Sequence, residues 1–437
     1  MDCFAPLAMT KVTATRNEKD DIGLARYRST IVIARNVAAP SSRGRRPWRS
    51  ILAFACMKRG LLRSARNDDE RASNDKGITT DMKRFTQSSF WAEFKSRHGW
   101  KNCPVTVDGT NYSVLIRQLN LRFKKISIAY IPMAPECDSA LSPKELAEGL
   151  SKLALALKPE LPANTFCIRF DPAMDFEETS NRDEYVQKFK QTNGSFSVKK
   201  ALTDVQPPDT TVLSLIDGKT NKRSDDDLLA AMKSKWRYNI KLAAKKSVAV
   251  EKYDFATDGF DKAFEEFYTL FQQTSQRDGV QFHNKSYYQD LFELASKSQY
   301  AKDEKVTITL YLAKHEDDYL AGIITLFCPG EAVYLYGASG NIKRNLMPAY
   351  LLQWTAIQDA REYGCPTYDF YGMPPTDDEN HPMHGLYLFK TGFGGKIIHR
   401  PGSFDAVIKK GDYTLYAVAE KLRAFYYKVI VKKLHRR

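Results

Sequence analysis

"KVTITLYLAKH" (305–315), "LAGIITLFCPG" (320–330) and "EAVYLYGASG" (331–340) follow one another almost without a gap. Each is rich in β-branched, aromatic and aliphatic residues and ends at charged residues or at Gly and Pro. Each therefore reads as one strand of an antiparallel meander. "MPAYLLQWTAIQDAREYG" (347–364) comes next, with helical spacing of apolar residues and Gly364 as its stop. "TYDFYGM" (367–373) adds a short strand. Two helical stretches, "FDKAFEEFYTLFQQTSQRDG" (260–279) and "SYYQDLFELASKS" (286–298), stand before the meander.

Helices, meander, helix, strand is the order of an acetyltransferase-like (GNAT) α/β unit. The preceding segment carries a rougher version. "SSFWAEFKSRHGW" (88–100) opens on a serine cap, "TNYSVLIRQLN" (110–120) and "FKKISIAYIPM" (123–133) read as strands, and "SPKELAEGLSKLALALK" (142–158) is a serine-capped amphipathic helix. "TFCIRFDP" (165–172) and "TTVLSLID" (210–217) read as further strands. "SDDDLLAAMKSKWRYNIKLAAKKSVAVEKY" (224–253) starts with a serine and three acids and then runs basic, which suits a helix dipole at both ends. The expected fold is α/β (α+β) with two GNAT-like domains. One spans 82–240 and is completed by 380–437; the other spans 241–379.

Residues 1–81 do not share this patterning. They repeat a loose theme ("TATRNEKDD", "LLRSARNDDE") and read as a non-family extension, disordered or created by a mis-called start, with Met82 as the true first residue. Asp20, Asp21, Asp68, Asp69 and Glu70 argue against a transit peptide. Of the net charge of +14, half falls in 1–81. The mildly basic body permits contact with tRNA phosphates or an anionic membrane without demanding either. The seven cysteines form no CxxC pair, so neither a zinc site nor a disulfide framework is expected, and no apolar run is long enough to span a bilayer.

Seven landmarks in order decide the kinship: "QSSFWAEFKSRHGW" (87–100), "IRFDP" (168–172), "MKSKWRYNIKLAAKKSVAVE" (232–251), "TSQRDGVQFHNKSYYQDLFE" (274–293), "YLYGAS" (334–339), "YDFYGMP" (368–374) and "GLYLFKTGFGG" (385–395). Over 82–400 the chain resembles the FemABX family, whose members transfer amino acids from aminoacyl-tRNA to a peptidoglycan precursor. The resemblance implies a cytoplasmic enzyme, with peripheral contact at the inner face of the membrane. Its partners would be aminoacyl-tRNA and a UDP- or lipid-linked muramyl peptide, and it would need no cofactor beyond the tRNA co-substrate.

An aminoacyl ester is already activated. An amine can attack it directly, provided that the amine loses its proton and the oxyanion meets a cation or N–H donor. By resemblance the Phe-Lys pair maps onto Phe389 and Lys390, and Lys390 is the expected oxyanion partner. Gly392, Gly394 and Gly395 would let backbone approach a ligand. Asp171, at a strand end, would orient or deprotonate the amine; read alone, it is equally a loop cap before Pro172. Lys95 matches the lysine that contacts the precursor's diphosphate. The second contact is usually an arginine with a tyrosine four residues on, where this chain has His283 and Tyr287. Histidine lacks the bidentate fork that suits phosphate, which points toward a different grip, with Lys285 as compensation, or toward a lipid-linked acceptor. Tyr334 and Tyr336 are expected on one strand face, with Tyr336 touching substrate. Arg237 and Asp369 complete the expected binding set.

"NIKRNLMPAY" (341–350) lacks the glycine-rich loop that cradles a coenzyme A pyrophosphate, which weighs against a GNAT-like acyl-CoA enzyme acting on another amine. A non-catalytic RNA- or membrane-binding protein would suit the basic stretches but not the "RFDP" and "YLFKTGFGG" landmarks together. The last stretch, 412–437, reads as a basic amphipathic helix with Tyr416, Leu422, Phe425, Tyr426 and Ile430 on one face.

Overall fold

The computed structural model describes residues 84–121, 124–191, 197–218, 221–279 and 282–425. The expectation for 1–81 lies outside the described residues, as do Tyr426 and Ile430.

After helix α1 (Ser89–Arg97) come strands β1 (Lys101–Val107), β2 (Thr110–Leu121) and β3 (Lys124–Ile131), helix α2 (Pro143–Leu157) and strand β4 (Thr165–Phe170). β1 to β3 form an antiparallel meander, and α2 carries the chain to β4, which lies parallel to β3. Ser88 caps α1, and Ser142 closes a capping box with Glu145 at the start of α2. Helix α3 (Thr179–Gln191) and strands β5 (Val198–Lys200), β6 (Asp209–Ser214), β7 (Ile216–Asp217) and β8 (Asn221–Lys222) follow.

The stretch 224–253, expected as one helix, divides into α4 (Asp225–Ala231), α5 (Ser234–Lys245) and β9 (Ala249–Tyr253). The helix breaks where the Lys233 N–H turns to the Gly392 carbonyl, 2.9 Å away. The Arg237 guanidinium takes the carbonyls of Leu229 and Met232 at the end of α4.

Helices α6 (Phe260–Asp278) and α7 (Lys285–Ala295) precede strands β10 (Thr307–His315), β11 (Asp318–Cys328) and β12 (Glu331–Ser339). Helix α8 (Pro348–Tyr363) ends at Gly364, at φ +100°, and leads to β13 (Thr367–Asp369), parallel to β12. Helix α9 (His384–Thr391), strands β14 (Lys396–His399) and β15 (Phe404–Val407), and helix α10 (Lys410–Phe425) complete the described residues.

The same motif thus occurs twice: a three-strand meander, a helix, and a strand parallel to the last of the three. This is the GNAT-like α/β pattern in both sheets, whose orders are β1-β2-β3-β4-β15-β5 and β14-β6-β13-β12-β11-β10-β9. Strand pairing does not follow chain order. β6 precedes residue 240 yet pairs with β13 and β14 in the second sheet. α5 packs into that sheet's core through Trp236, Ile240 and Ala243. β15 returns to the first sheet beside β4. Helix α1 is shared as well: Phe90 and Phe94 lie in one core with Phe264 and Phe292 of α6 and α7.

β15 is fastened to β4 by a buried ion pair. The fully buried Arg169 guanidinium donates to both oxygens of Asp405, at 2.7 and 2.8 Å, and Tyr413 of α10 donates to the same carboxylate at 3.0 Å. Removing one partner leaves the other charge buried and uncompensated. Asp405→Ala is expected to destabilise the chain by about 3–5 kcal/mol. Urea unfolding of the variant beside the parent checks this; an unchanged midpoint would show the pair to be dispensable.

Candidate functional site

Two groups of side chains stand out. The first is built around Lys390 on α9. Its side chain is buried, and its ammonium donates to the carbonyls of Phe370 (2.6 Å), Tyr371 (3.1 Å) and Gly372 (2.7 Å), just past the end of β13. It also lies 5.1 Å from the centre of the Tyr334 ring. Burial pushes its pKa down from 10.5 to about 7, and Asp369 opposes the shift. An ammonium has three N–H donors. In its charged form Lys390 therefore spends every donor on this loop.

The loop has an uncommon shape. Tyr371 sits at φ +59°, in the left-handed region. Its N–H is held by Asp369 Oδ1 at 2.7 Å, and the Thr210 hydroxyl donates to the same oxygen. Gly372 is pressed on Pro207, so that a Cβ there would lie 2.8 Å from the proline ring. Arg400 donates to Asp175 at 2.9 Å, while its Nη2 stands 3.9 Å from Asp369 without a hydrogen bond. Arg84, Gln206, Glu331, Asp369, Tyr371 and Arg400 line a cavity of about 20 Å³. That is space for a single water, not for a substrate.

Asp171 follows β4 and is buried. Its two oxygens accept from the hydroxyls of Tyr130 on β3 and Ser403 before β15. Burial raises its pKa from 3.8 to about 6, against the opposing hydrogen bonds from Ser403 and Tyr130. The Gln206 amide donates to Tyr130 Oη at 3.1 Å and accepts from the Tyr371 hydroxyl. Asp171 and the Lys390 loop are therefore linked, although the two side chains do not touch.

The second group contains Lys95, His283, Tyr287 and Tyr336. The Lys95 ammonium lies 3.4 Å from Tyr287 Oη and 5.4 Å from the Trp91 ring centre. His283 stacks on Tyr287 with ring centres 3.8 Å apart. Tyr336 meets Tyr288 edge-on at 4.9 Å. The Tyr288 ring lies 5.5 Å from that of Tyr287, so Tyr288 bridges Tyr336 to the other three residues, which lie up to 241 positions from it in the chain.

Several expected placements differ. Tyr334 and Tyr336 do not share a face. The β11–β12 register skips Leu335 between Thr325↔Tyr334 and Ile324↔Tyr336, a β-bulge, so that Tyr334 joins the core beneath Phe389 while Tyr336 joins that of α6 and α7. The glycines after Lys390 approach the chain's own helices and strand rather than an open cleft. A Cβ at Gly392 would lie 2.1 Å from the Trp236 ring, and one at Gly394, at φ +86°, 2.5 Å from the Ala231 carbonyl. The ring of Phe389 packs on Tyr350 and Phe393, and its carbonyl accepts from Trp236 Nε1 at 2.9 Å. Arg237 caps α4, as described above. Lys285 pairs with Glu265. Tyr130, Gln206, Tyr371 and Ser403 escaped the sequence reading. Tyr371 stands inside the "YDFYGMP" landmark, and Gln206 lies in an irregular Pro-rich loop with no periodicity to flag it.

Residues 77–300 and 293–421 match the model described as "FemAB family". The lipid II:glycine glycyltransferase of Staphylococcus saprophyticus subsp. saprophyticus is 24% identical over 402 residues, covering 78% of this chain and 91% of that protein. Its Staphylococcus aureus (strain COL) counterpart is 25% identical over 396 residues, covering 75% and 89%. Among solved structures, FemX superposes with a TM-score of 0.58 at 21% identity, covering 76% of this chain and 94% of that one.

Proposed function

Because the chain belongs to the FemAB family, a family of transferases, we propose that it moves an aminoacyl group from aminoacyl-tRNA to the side-chain amine of a muramyl stem peptide. Glycine, as in the names of the staphylococcal relatives, is the first donor to test, and a lipid-linked muramyl peptide the first acceptor. The observation that carries this reading is Lys390: a buried cation at the end of β13, held by three carbonyls and with a pKa near neutrality.

The amine nitrogen bonds to the ester carbonyl carbon and gives up a proton to the ionised Asp171 carboxylate, the general base, which passes it on to the leaving oxygen. The tetrahedral oxyanion collapses, the ester C–O bond breaks, and the tRNA ribose oxygen leaves and is protonated. Lys390 stabilises the oxyanion by exchanging one loop carbonyl for it, so that its charge faces the negative charge only as that charge develops. Lys95 with Tyr287 supplies a cation and a hydroxyl for the acceptor's diphosphate. His283 stacks on that tyrosine where a guanidinium fork would otherwise reach for phosphate.

The test supplies purified protein with lipid-linked and UDP-linked muramyl peptides, glycyl-tRNA or other charged tRNAs, and acyl-CoA. Amide formation that RNase abolishes supports the reading. RNase-insensitive turnover with acyl-CoA would instead make the chain a GNAT-like acyltransferase.

A lipid-linked acceptor brings the reaction to a bilayer surface. No helix among the described residues is long and apolar enough to cross a membrane. The expected face of α10 is only partly right. Tyr416 points inward, its ring centre 5.1 Å from that of Phe166. The exposed stripe is Leu415, Val418, Leu422 and Phe425, at spacings of three and four. Exposed Lys410 and Lys421 flank it, and 421–437 contains seven Lys or Arg and no acid. Such a face suits peripheral contact with anionic lipid. The protein is expected to co-sediment with anionic but not neutral vesicles, and less so as salt rises. Leu422→Asn with Phe425→Asn should release it. Sedimentation unaffected by the pair would place the contact elsewhere, and competition by tRNA alone would assign the basic residues to nucleic acid.

A further inference from the structure

Four side chains run from the first sheet to the loop that Lys390 holds: Asp171 after β4, Tyr130 on β3, Gln206 in the loop before β6, and Tyr371 after β13. An ionised carboxylate only accepts hydrogen bonds. Tyr130 and Ser403 must therefore both donate to Asp171. The single Tyr130 proton is thereby committed, so the Gln206 atom facing it is the amide nitrogen. The amide oxygen then faces Tyr371, whose hydroxyl has to donate. Every proton in the series points toward Asp171, and an amide cannot invert that order without turning over.

The far end of the series is the Lys390 seat itself. The carbonyl of Tyr371 accepts from Lys390, and its N–H is pinned by Asp369. Pro207, next to Gln206, packs on Gly372. Gln206 therefore touches the seat through both its side chain and its backbone neighbour.

We propose that Gln206 is a positioning residue that couples the charge on Asp171 to the orientation of Tyr371, and thereby to the carbonyl seat from which Lys390 meets the oxyanion. The proposal rests on the transferase reading above. The groups that face Asp171 are Tyr130, Ser403, Asp204 and Arg169. When Asp171 takes up a proton, Tyr130 is no longer obliged to donate to it. The series loses its single direction, and Tyr371 loses a fixed partner.

Two glutamine variants read this out. Gln206→Leu removes both hydrogen bonds and is expected to lower kcat about tenfold, with KM for the acceptor unchanged, in the range for two lost hydrogen bonds of modest net strength. Gln206→Glu carries the proposal's signature. Its protonated acid has one O–H donor and one carbonyl acceptor, like the amide; its carboxylate cannot donate to Tyr130. The ratio of Gln206→Glu to wild-type kcat should therefore rise as pH falls from 8 to 5. A side chain that only fills space would give a ratio independent of pH.

Fluorotyrosine placed at Tyr371 gives a readout that needs no turnover. Its ¹⁹F signal should follow the titration of Asp171 in the wild-type chain and cease to follow it in Gln206→Leu. A signal that does not titrate in the wild type, or titrates equally in both, overturns the coupling. Failure of the wild type to transfer any aminoacyl group, with the ¹⁹F titration present, would overturn the substrate reading and leave the coupling standing.

Discussion

Lys390→Ala is expected to lower kcat by about 10²–10³-fold while moving the acceptor KM by no more than a few-fold. The split follows from the geometry. In the resting structure all three Lys390 donors are held by the 370–372 carbonyls, so the residue has little to offer a ground-state substrate. It contributes when an oxyanion competes for one of those donors, and a group that acts only in the transition state appears in kcat. Lys390→Arg should not rescue activity, because the larger planar guanidinium does not fit a seat made for three tetrahedral donors. The pH dependence carries a second signature. Lys390 is cationic below about 7, so the rate should fall as pH rises through that value. Asp171 is ionised above about 6, so the rate should fall as pH drops through it. A bell-shaped kcat/KM profile with limbs near these values is expected, and Lys390→Ala should abolish the alkaline limb. A variant with near-normal turnover, or one with the limb intact, would remove Lys390 from the chemistry.

The repeated meander, helix and parallel strand were legible because they depend on local periodicity and on strong stop signals such as Gly364 and the serine caps. Landmarks in family order single out Lys95, His283, Tyr287 and Tyr336, even though two helices, a strand and the loop before α7 supply them. What escaped depends on long-range register. No local signal says that β12 carries a bulge at Leu335, so strict alternation put Tyr334 and Tyr336 on one face. β6 joins the second sheet because β13 and β14 offer it edges there, and neither lies near it in sequence. In sequence the glycines after Lys390 read as ligand-facing turns, although Trp236 and Ala231 take the space a Cβ would need. Gln206 was invisible for a different reason: a glutamine in an irregular loop gains meaning only from the two tyrosines on either side.

Asp171→Asn should lower kcat by about 10²–10³-fold and leave the fold at least as stable at pH 7. The loss has two parts. An amide cannot take the proton that the amine must shed, and general-base assistance contributes on this scale. An amide also places a donor where Tyr130 or Ser403 now donates, so the order of hydrogen bonds through Gln206 loses its origin. The stability side follows from the direction of the pKa shift. The folded pKa of Asp171 is raised, to about 6, above its ordinary value of 3.8. Between those values the native chain holds a proton that the unfolded chain has released. Its contribution to stability is therefore complete below pH 3.8 and lost as pH rises through 6. At pH 7 the wild type bears the full cost of a buried carboxylate, which the neutral amide avoids. Thermal unfolding should show the variant gaining on the parent as pH rises from 4 to 7, while its kcat/KM profile loses the acid limb. Adding Gln206→Leu to Asp171→Asn should reduce kcat little further, because one series of hydrogen bonds is broken only once. Fully additive losses would separate the two residues, and wild-type turnover in Asp171→Asn would make the carboxylate a loop cap and nothing more.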